Sequence, residues 1–83
     1  MIDNHLGYKD VMESQEIDNE MVFKIKIKDI KKGELFKKKV DSKTIYERLD
    51  YDRHEKKYET AHVNGNNFYY LKGAVEVWVG FTY

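Results

Sequence analysis

The most constraining feature of the sequence is a two-residue alternation of apolar and polar side chains that occurs twice. In FKIKIK, at residues 23–28, Phe23, Ile25 and Ile27 alternate with lysines, and in AVEVWVGF, at 74–81, every second residue is apolar. Successive side chains of a β-strand point to opposite faces, so this period is typical of strands with one buried face. The two segments therefore predict a sheet with an apolar core on one side.

Between these segments, further apolar runs are separated by short polar turns. IKKGELF at 30–36 is interrupted by its glycine, and TIYERLDYD at 44–52 carries Glu47 on its apolar face. That interruption predicts a β-bulge or an edge strand. Asn-Gly in NGNN, between KYETAHV and NFYYLKG, is a strong hairpin signal. The pattern predicts an all-β fold, a small five- or six-stranded antiparallel meander or barrel with SH3-like or OB-like geometry.

Charge is distributed unevenly along these 83 residues, although the net charge is zero. Residues 1–22 hold one lysine and six acidic residues, whereas residues 24–39 hold eight lysines and two acidic residues. An uneven charge distribution of this kind indicates that the chain can bind charged partners. We predict two regions, an acidic N-terminal arm at 1–22 and a small β-domain at 23–83.

The lysines of residues 24–39, here termed the lysine ribbon, have two interpretations. They can contact phosphates in a groove, with nearby aromatic rings stacking on bases. They can instead protect a sheet edge from pairing with other molecules. Arginine recognises base edges better than lysine does, and it is absent from the ribbon. Any nucleic-acid binding is therefore predicted to depend little on the base sequence. The ribbon consists of Lys24, Lys26, Lys28, Lys31, Lys32, Lys37, Lys38 and Lys39. The predicted aromatic and basic anchors are Tyr46, Arg48, Tyr69, Tyr70 and Trp78.

The acidic arm is open to three interpretations. It can fold over the ribbon and mask it, it can imitate phosphates in a partner's basic groove, or it can be a solvated flexible tail. Helix-like spacing of Tyr8, Val11 and Met12 predicts a short helix near residues 8–16 as the alternative to a flexible arm. The candidate contact residues of the arm are Asp10, Glu13, Glu16, Asp18 and Glu20.

The sequence predicts no enzyme, cofactor or metal site. It lacks cysteine, its three histidines do not have the spacing of metal ligands, and neither serine has a nucleophile-elbow context. No glycine-rich phosphate loop is present. An apolar run long enough to span a membrane and a signal peptide are also missing, so no membrane partner is predicted.

Three segments resemble a group of small proteins of phages and other mobile elements. Their pattern is "lkxGexF", "VYxRxxYDRxxKKY" and "FxKGxxxVxVxFtY"; this chain has IKKGELF at 30–36, IYERLDYDRHEKKY at 45–58 and YYLKGAVEVWVGFTY at 69–83. The resemblance covers roughly residues 26–83. Leu49 and Ala74 depart from it, standing where glycine and a polar residue are usual. No catalytic motif is carried by the group.

The resemblance implies a small cytoplasmic protein of an infected or element-bearing bacterial cell that works by stoichiometric binding. The leading hypothesis is an inhibitor of a host nuclease or another defence component, in the manner of anti-CRISPR proteins. A sequence-tolerant nucleic-acid-binding module that uses the lysine ribbon is the alternative. A third hypothesis is a homo-oligomeric sponge for a nucleotide-like ligand, with a pocket lined by Tyr46, Arg48, Tyr69 and Tyr70. Host protein, nucleic acid and a second copy of the chain are thus the predicted partners.

Overall fold

The alternating segments form antiparallel strands in the computed structural model, which describes residues 10–65 and 67–81. The strands are β1 (Glu13–Ile17), β2 (Glu20–Lys26), β3 (Leu35–Phe36), β4 (Tyr46–Asp52), β5 (Lys57–His62), β6 (Phe68–Leu71) and β7 (Glu76–Val79). One 3₁₀ turn, Ile27–Asp29, follows β2. The predicted all-β fold is confirmed, with seven strands in place of five or six, while SH3-like or OB-like geometry stays a prediction.

The strands are arranged in two sheets that meet at one backbone bridge. One sheet has the order β1-β2-β7, and the other is the meander β3-β4-β5-β6. Lys37, directly after β3, exchanges two backbone hydrogen bonds with Trp78 of β7, at 2.9 and 2.7 Å. The hydrogen-bonded path therefore runs from β1 to β6 through this junction.

The acidic segment pairs with the sheet from Glu13 onward. Ser14 lies opposite Phe23 in the β1–β2 register, and the turn residues Asp18 and Asn19 have φ of 51° and 66°. A two-residue turn with both φ positive matches the twist of a tight antiparallel hairpin, and Asp and Asn tolerate that conformation. The predicted helix near 8–16 is therefore wrong over residues 10–16, since pairing with β2 outweighs the weak helical spacing. Its remaining residues lie outside the described part of the chain.

The predicted division between residues 22 and 23 falls inside β2, and β1 lies on the N-terminal side of it. In the part of the chain that the structure describes, no helix is long and apolar enough to cross a membrane.

The core contains the apolar residues that the alternation predicted in β2 and β7, together with residues from outside these segments. Ile25, Ile27, Val77 and Val79 are completely buried, as is Phe36 from β3. Phe23 and Ile30 complete the cluster, and Tyr46, Tyr58, Leu71 and Val75 pack around it. Burial of apolar surface at about 25 cal/mol per Å² is the main stabilising term for such a small domain.

The β-bulge predicted in the fourth strand is present. Arg48 pairs with Thr60 and Tyr51 with Tyr58, so three steps along β4 correspond to two along β5. The extra residue keeps Arg48 and Tyr51 on the same face, where Tyr51 contacts the Tyr58 ring at 4.8 Å between centroids.

Gly80 ends β7 in a conformation that requires glycine. Its φ is +94°, and a Cβ atom there would lie 3.0 Å from the Phe23 ring and 3.1 Å from the Met21 carbonyl oxygen. Both the backbone angle and the close approach therefore exclude a larger residue without local movement.

Candidate functional site

The lysine ribbon is divided by the fold, and two of its members are neutralised by carboxylates. The Lys24 ammonium lies 3.2 Å from Glu76 and 3.7 Å from Glu13, its neighbours on the two adjacent strands. Lys32 lies 2.7 Å from Asp50. Exposed ion pairs contribute little to stability, but they lower the local positive charge. The ribbon is therefore not a continuous cationic surface.

Edge protection does not explain Lys24 of β2. Lys24 lies opposite Glu13 of β1 on one side and Trp78 of β7 on the other, in the middle of a three-stranded sheet. The edge-protection interpretation is therefore wrong for Lys24 in the folded protein, because the acidic segment supplies β1 as an additional outer strand. Lys26 pairs with Glu76 of β7 and lies beyond the end of β1.

Two consecutive lysines after β3 contact aromatic rings on different parts of the molecule. The Lys37 ammonium lies 4.7 Å from the centre of the Phe81 ring. The Lys38 ammonium lies 4.8 Å from the centre of the Tyr46 ring and 5.3 Å from that of Tyr69. These distances are within the range of cation–π attraction, which holds an exposed lysine over the rings. Lys38 is thus the ribbon member that joins a group of predicted aromatic anchors.

Three aromatic side chains from neighbouring strands form the surface under Lys38. We term Tyr46, His62 and Tyr69 the aromatic cluster. The Tyr46 ring meets His62 edge-on at 4.7 Å and Tyr69 edge-on at 6.0 Å, and His62 lies 5.3 Å from Tyr69. All three are partly exposed. Edge-to-face contacts at these separations fix the ring orientations, so the cluster is preorganised.

The strand register explains why these residues meet. Tyr46 of β4 lies directly opposite His62 of β5, and β5 in turn pairs with the strand that carries Tyr69. Phe36 of β3 lies opposite Tyr46 and stacks on it at 5.4 Å. Phe36 is completely buried, so the cluster is an outward continuation of the core. Its rigidity therefore depends on core packing.

The surroundings of the cluster are cationic. Lys38, Lys39 and Lys43 form no ion pair within residues 10–65 and 67–81. A shallow pocket of about 220 Å³ adjoins His62 and is lined by Lys43, Thr44, Ile45 and Asn64. The arrangement combines unpaired ammonium groups, ring surfaces and short polar side chains. Chemically, it suits a ligand that is both anionic and aromatic.

Three of the predicted anchors lie apart from the cluster. The Arg48 guanidinium packs over the Tyr58 ring at 4.4 Å, and its Nε is buried without a hydrogen-bond partner. Trp78 is only 8% exposed, so its ring is not available on the outer face as predicted. Tyr70 is exposed on the opposite face of its sheet, where its hydroxyl donates to Glu59. Of the five predicted anchors, Tyr46 and Tyr69 are therefore brought together.

Glu13 of the acidic arm forms an ion pair with Lys24 of the lysine ribbon. Its other carboxylates, on Asp10, Glu16 and Asp18, are on exposed residues, and Glu20 is partly buried. Within the described residues, masking of the ribbon by the arm is thus limited to Lys24. Among the described residues, no carboxylate of the arm forms an ion pair with Lys38.

Sequence reasoning missed His62 and Lys43 as members of this surface. His62 was considered only as a metal ligand, and Lys43 lies outside the ribbon. The Asn-Gly hairpin signal contained useful information, because a short loop fixes which residues of β5 and β6 lie opposite each other. Extending that register to β4 would have placed His62 beside Tyr46.

Among the residues that the structure describes, no group of three histidine, aspartate or glutamate side chains is placed to hold a metal ion. No family model, curated protein or solved structure matched the chain.

Proposed function

We propose that this protein binds single-stranded nucleic acid without sequence preference through the aromatic cluster and the lysines beside it. One observation carries the proposal: the Lys38 ammonium lies 4.8 and 5.3 Å from two tyrosine rings on a partly exposed, cationic surface. Proteins that bind single strands combine cationic groups along the backbone with aromatic rings for base stacking. Lys38, Lys39 and Lys43 are the phosphate contacts in this proposal.

The chemistry of the surface favours a single strand over a duplex. Stacking on Tyr46 or Tyr69 requires access to the face of a base, which is hidden in a duplex. Lysine is a point charge that attracts phosphate but does not form the planar two-bond contact by which arginine recognises guanine. Discrimination among bases is accordingly expected to be weak.

The direct test is a titration of a fluorescent thymine oligonucleotide at two salt concentrations. Three lysine–phosphate contacts give a slope of about −2 in log affinity against log salt, so affinity should fall about 20-fold between 50 and 200 mM salt. Tyr69→Ala should weaken binding at least about fivefold by removing one stacking surface. The matched control is Tyr51→Ala, an exposed tyrosine of the same sheet outside the cluster. Undetectable binding at micromolar concentrations in 50 mM salt would refute the proposal.

A second candidate is the stoichiometric inhibitor of a host nuclease or another defence component. The observation that favours it is that the acidic segment from Glu13 is an ordered hairpin with exposed carboxylates at Glu16 and Asp18. An ordered hairpin loses less conformational entropy on binding than a flexible tail. It is therefore suited to occupy a basic groove on a partner protein.

This candidate predicts a titratable effect on nuclease activity. The purified protein, added to a lysate of the natural host, should reduce nuclease activity with an endpoint near equal amounts of protein and target. Glu16→Gln combined with Asp18→Asn should relieve the inhibition, because both changes remove charge while preserving shape and the turn. The matched control is Glu55→Gln with Asp41→Asn, which removes two exposed carboxylates elsewhere. Unchanged nuclease activity, with no host protein retained by the immobilised chain, would exclude the inhibitor.

A further inference from the structure

The two outer strands of the hydrogen-bonded path differ in how well they are protected against pairing with other chains. The outer strand β1 carries Glu13 and Glu16, both exposed, and charged side chains discourage pairing with other chains. The other outer strand, β6, has the sequence FYYL and contains no charged residue. In the described chain, β6 pairs only with β5. It is therefore the less protected edge.

The side chains of β6 that face away from the core are aromatic and exposed. Phe68 is 61% exposed and Tyr70 is 45% exposed, and they share the outer face of the sheet. Large exposed rings on one face are characteristic of binding surfaces. Tyr69 and Leu71, on the other face, are partly buried. The strand thus offers polar–aromatic contacts on one side and apolar contacts on the other.

The backbone groups of Phe68 and Tyr70 point away from β5. The His62 amide donates to the Asn67 carbonyl oxygen, which makes that pair a hydrogen-bonded one. Because hydrogen-bonded and non-hydrogen-bonded pairs alternate in an antiparallel ladder, the pairs of Phe68 with Ala61 and of Tyr70 with Glu59 are non-hydrogen-bonded. Their N–H and C=O groups are consequently directed toward the open edge.

The outer face is acidic around Tyr70, and Lys57 lies on this face two positions before Glu59 on β5. Glu59 lies opposite Tyr70 in the register and accepts a hydrogen bond from its hydroxyl at 3.5 Å. Glu47 lies one strand further, opposite Ala61, and neither carboxylate forms an ion pair with a described residue. Glu59 foremost, with smaller effects of burial, Asp52 and Glu55, raises the pKa of Tyr70. A partner strand would meet negative charge here.

We propose that β6 is a docking edge for an extended basic peptide segment, which adds to the sheet as an antiparallel strand. Its basic side chains lie on the outer face over Phe68 and Tyr70 and close to Glu59, and its intervening apolar side chains lie beside Tyr69 and Leu71. Backbone hydrogen bonds supply affinity and the alternate side chains supply specificity, as in other cases of strand addition. A second copy of the chain fits less well, because pairing β6 with β6 brings two acidic faces together. This site shares Tyr69 with the proposed nucleic-acid surface, whereas Phe68 and Tyr70 lie on the other face of β6.

The proposal is tested with the whole chain and a fluorescent hexapeptide of alternating arginine and valine. Antiparallel pairing places the peptide's arginines opposite Phe68 and Tyr70, so it is the arginine amides that face β6. N-methylation of the arginine amides should weaken binding at least about tenfold, whereas N-methylation of the valine amides should leave it nearly unchanged. A glutamate–valine hexapeptide should not bind. If the peptide methylated at arginine binds as tightly as the parent, β6 is not the docking edge.

Two double variants with the same added charge distinguish strand pairing at the edge from general electrostatic attraction between peptide and protein. The double variant Phe68→Lys with Tyr70→Lys should weaken binding of the parent peptide at least about tenfold. It removes both rings and places positive charge on the edge. Met12→Lys with Met21→Lys alters two residues of similar exposure, 49% and 50%, elsewhere on the surface and should change affinity less than about threefold. Equal losses in the two variants would overturn the proposal, as would absence of binding to the unmodified protein below millimolar concentration. Circular dichroism establishes that each variant is folded.

Discussion

Replacing Phe36 by alanine should strongly destabilise the folded protein. The Phe36 side chain is completely buried, packs in the core and stacks on Tyr46 at 5.4 Å. Removal of a buried phenylalanine costs about 3–5 kcal/mol, through lost burial and the cavity that remains. A domain of this size has a free energy of unfolding of only about 4–12 kcal/mol. The loss is therefore expected to range from about a quarter of the stability to all of it.

The measurement is urea unfolding followed by circular dichroism, with Phe68→Ala as the matched control. Phe68 is 61% exposed, so the same chemical change there should alter the free energy of unfolding by less than about 0.5 kcal/mol. In thermal unfolding, Phe36→Ala should lower Tm by more than about 12 °C, because 1 kcal/mol corresponds to about 4–8 °C in a domain of this size. Similar effects of the two changes would contradict the arrangement of the core.

Reversing the charge of Lys38 and Lys43 together should nearly abolish binding of single-stranded nucleic acid. Each lost lysine–phosphate contact removes roughly an eightfold contribution to affinity at 50 mM salt, and the introduced carboxylates repel phosphate as well. Lys38→Glu with Lys43→Glu is therefore expected to weaken oligonucleotide binding by about 60-fold or more. Both side chains are exposed, so the fold should be preserved.

The appropriate control changes the net charge by the same amount away from the aromatic cluster. Lys31 and Lys72 are exposed, and neither forms a cation–π contact with Tyr46 or Tyr69. Lys31→Glu with Lys72→Glu should weaken binding by only a few-fold, through the long-range field. If both double variants weaken binding equally, affinity arises from overall charge and not from this surface.

The strands could be predicted from the sequence wherever alternation was regular. Ile25, Ile27, Val77 and Val79 are buried, as the two-residue alternation predicts, and β4 contains a bulge, which lies between Arg48 and Tyr51 and not at Glu47. The strand β1 could not be predicted in the same way. Four of its five residues are polar and exposed, so its sequence shows no alternation of apolar and polar residues. The strand forms because the backbone groups on one side of β2 are available for pairing.

The candidate site was less predictable than the fold because it depends on contacts between distant residues. Eight lysines were equivalent in the sequence, yet Lys24 is paired with Glu76 from the far end of the chain while Lys38 lies over Tyr69. Which lysine meets a carboxylate and which meets a ring is decided by strand order. That order depends on the bridge between Lys37 and Trp78, which no local pattern indicates.

The position of β7 has a consequence for synthesis on the ribosome. Glu76–Val79 fills the space between β2 and Lys37, although it is made about fifty residues after β2. At translation rates of about 5–20 residues per second, β2 waits roughly 3–10 s with one side unpaired. Throughout that interval the alternating lysines of the nascent strand disfavour its pairing with neighbouring nascent chains. Lys24, which lies between two strands in the finished fold, thus protects an open edge while the chain is being made.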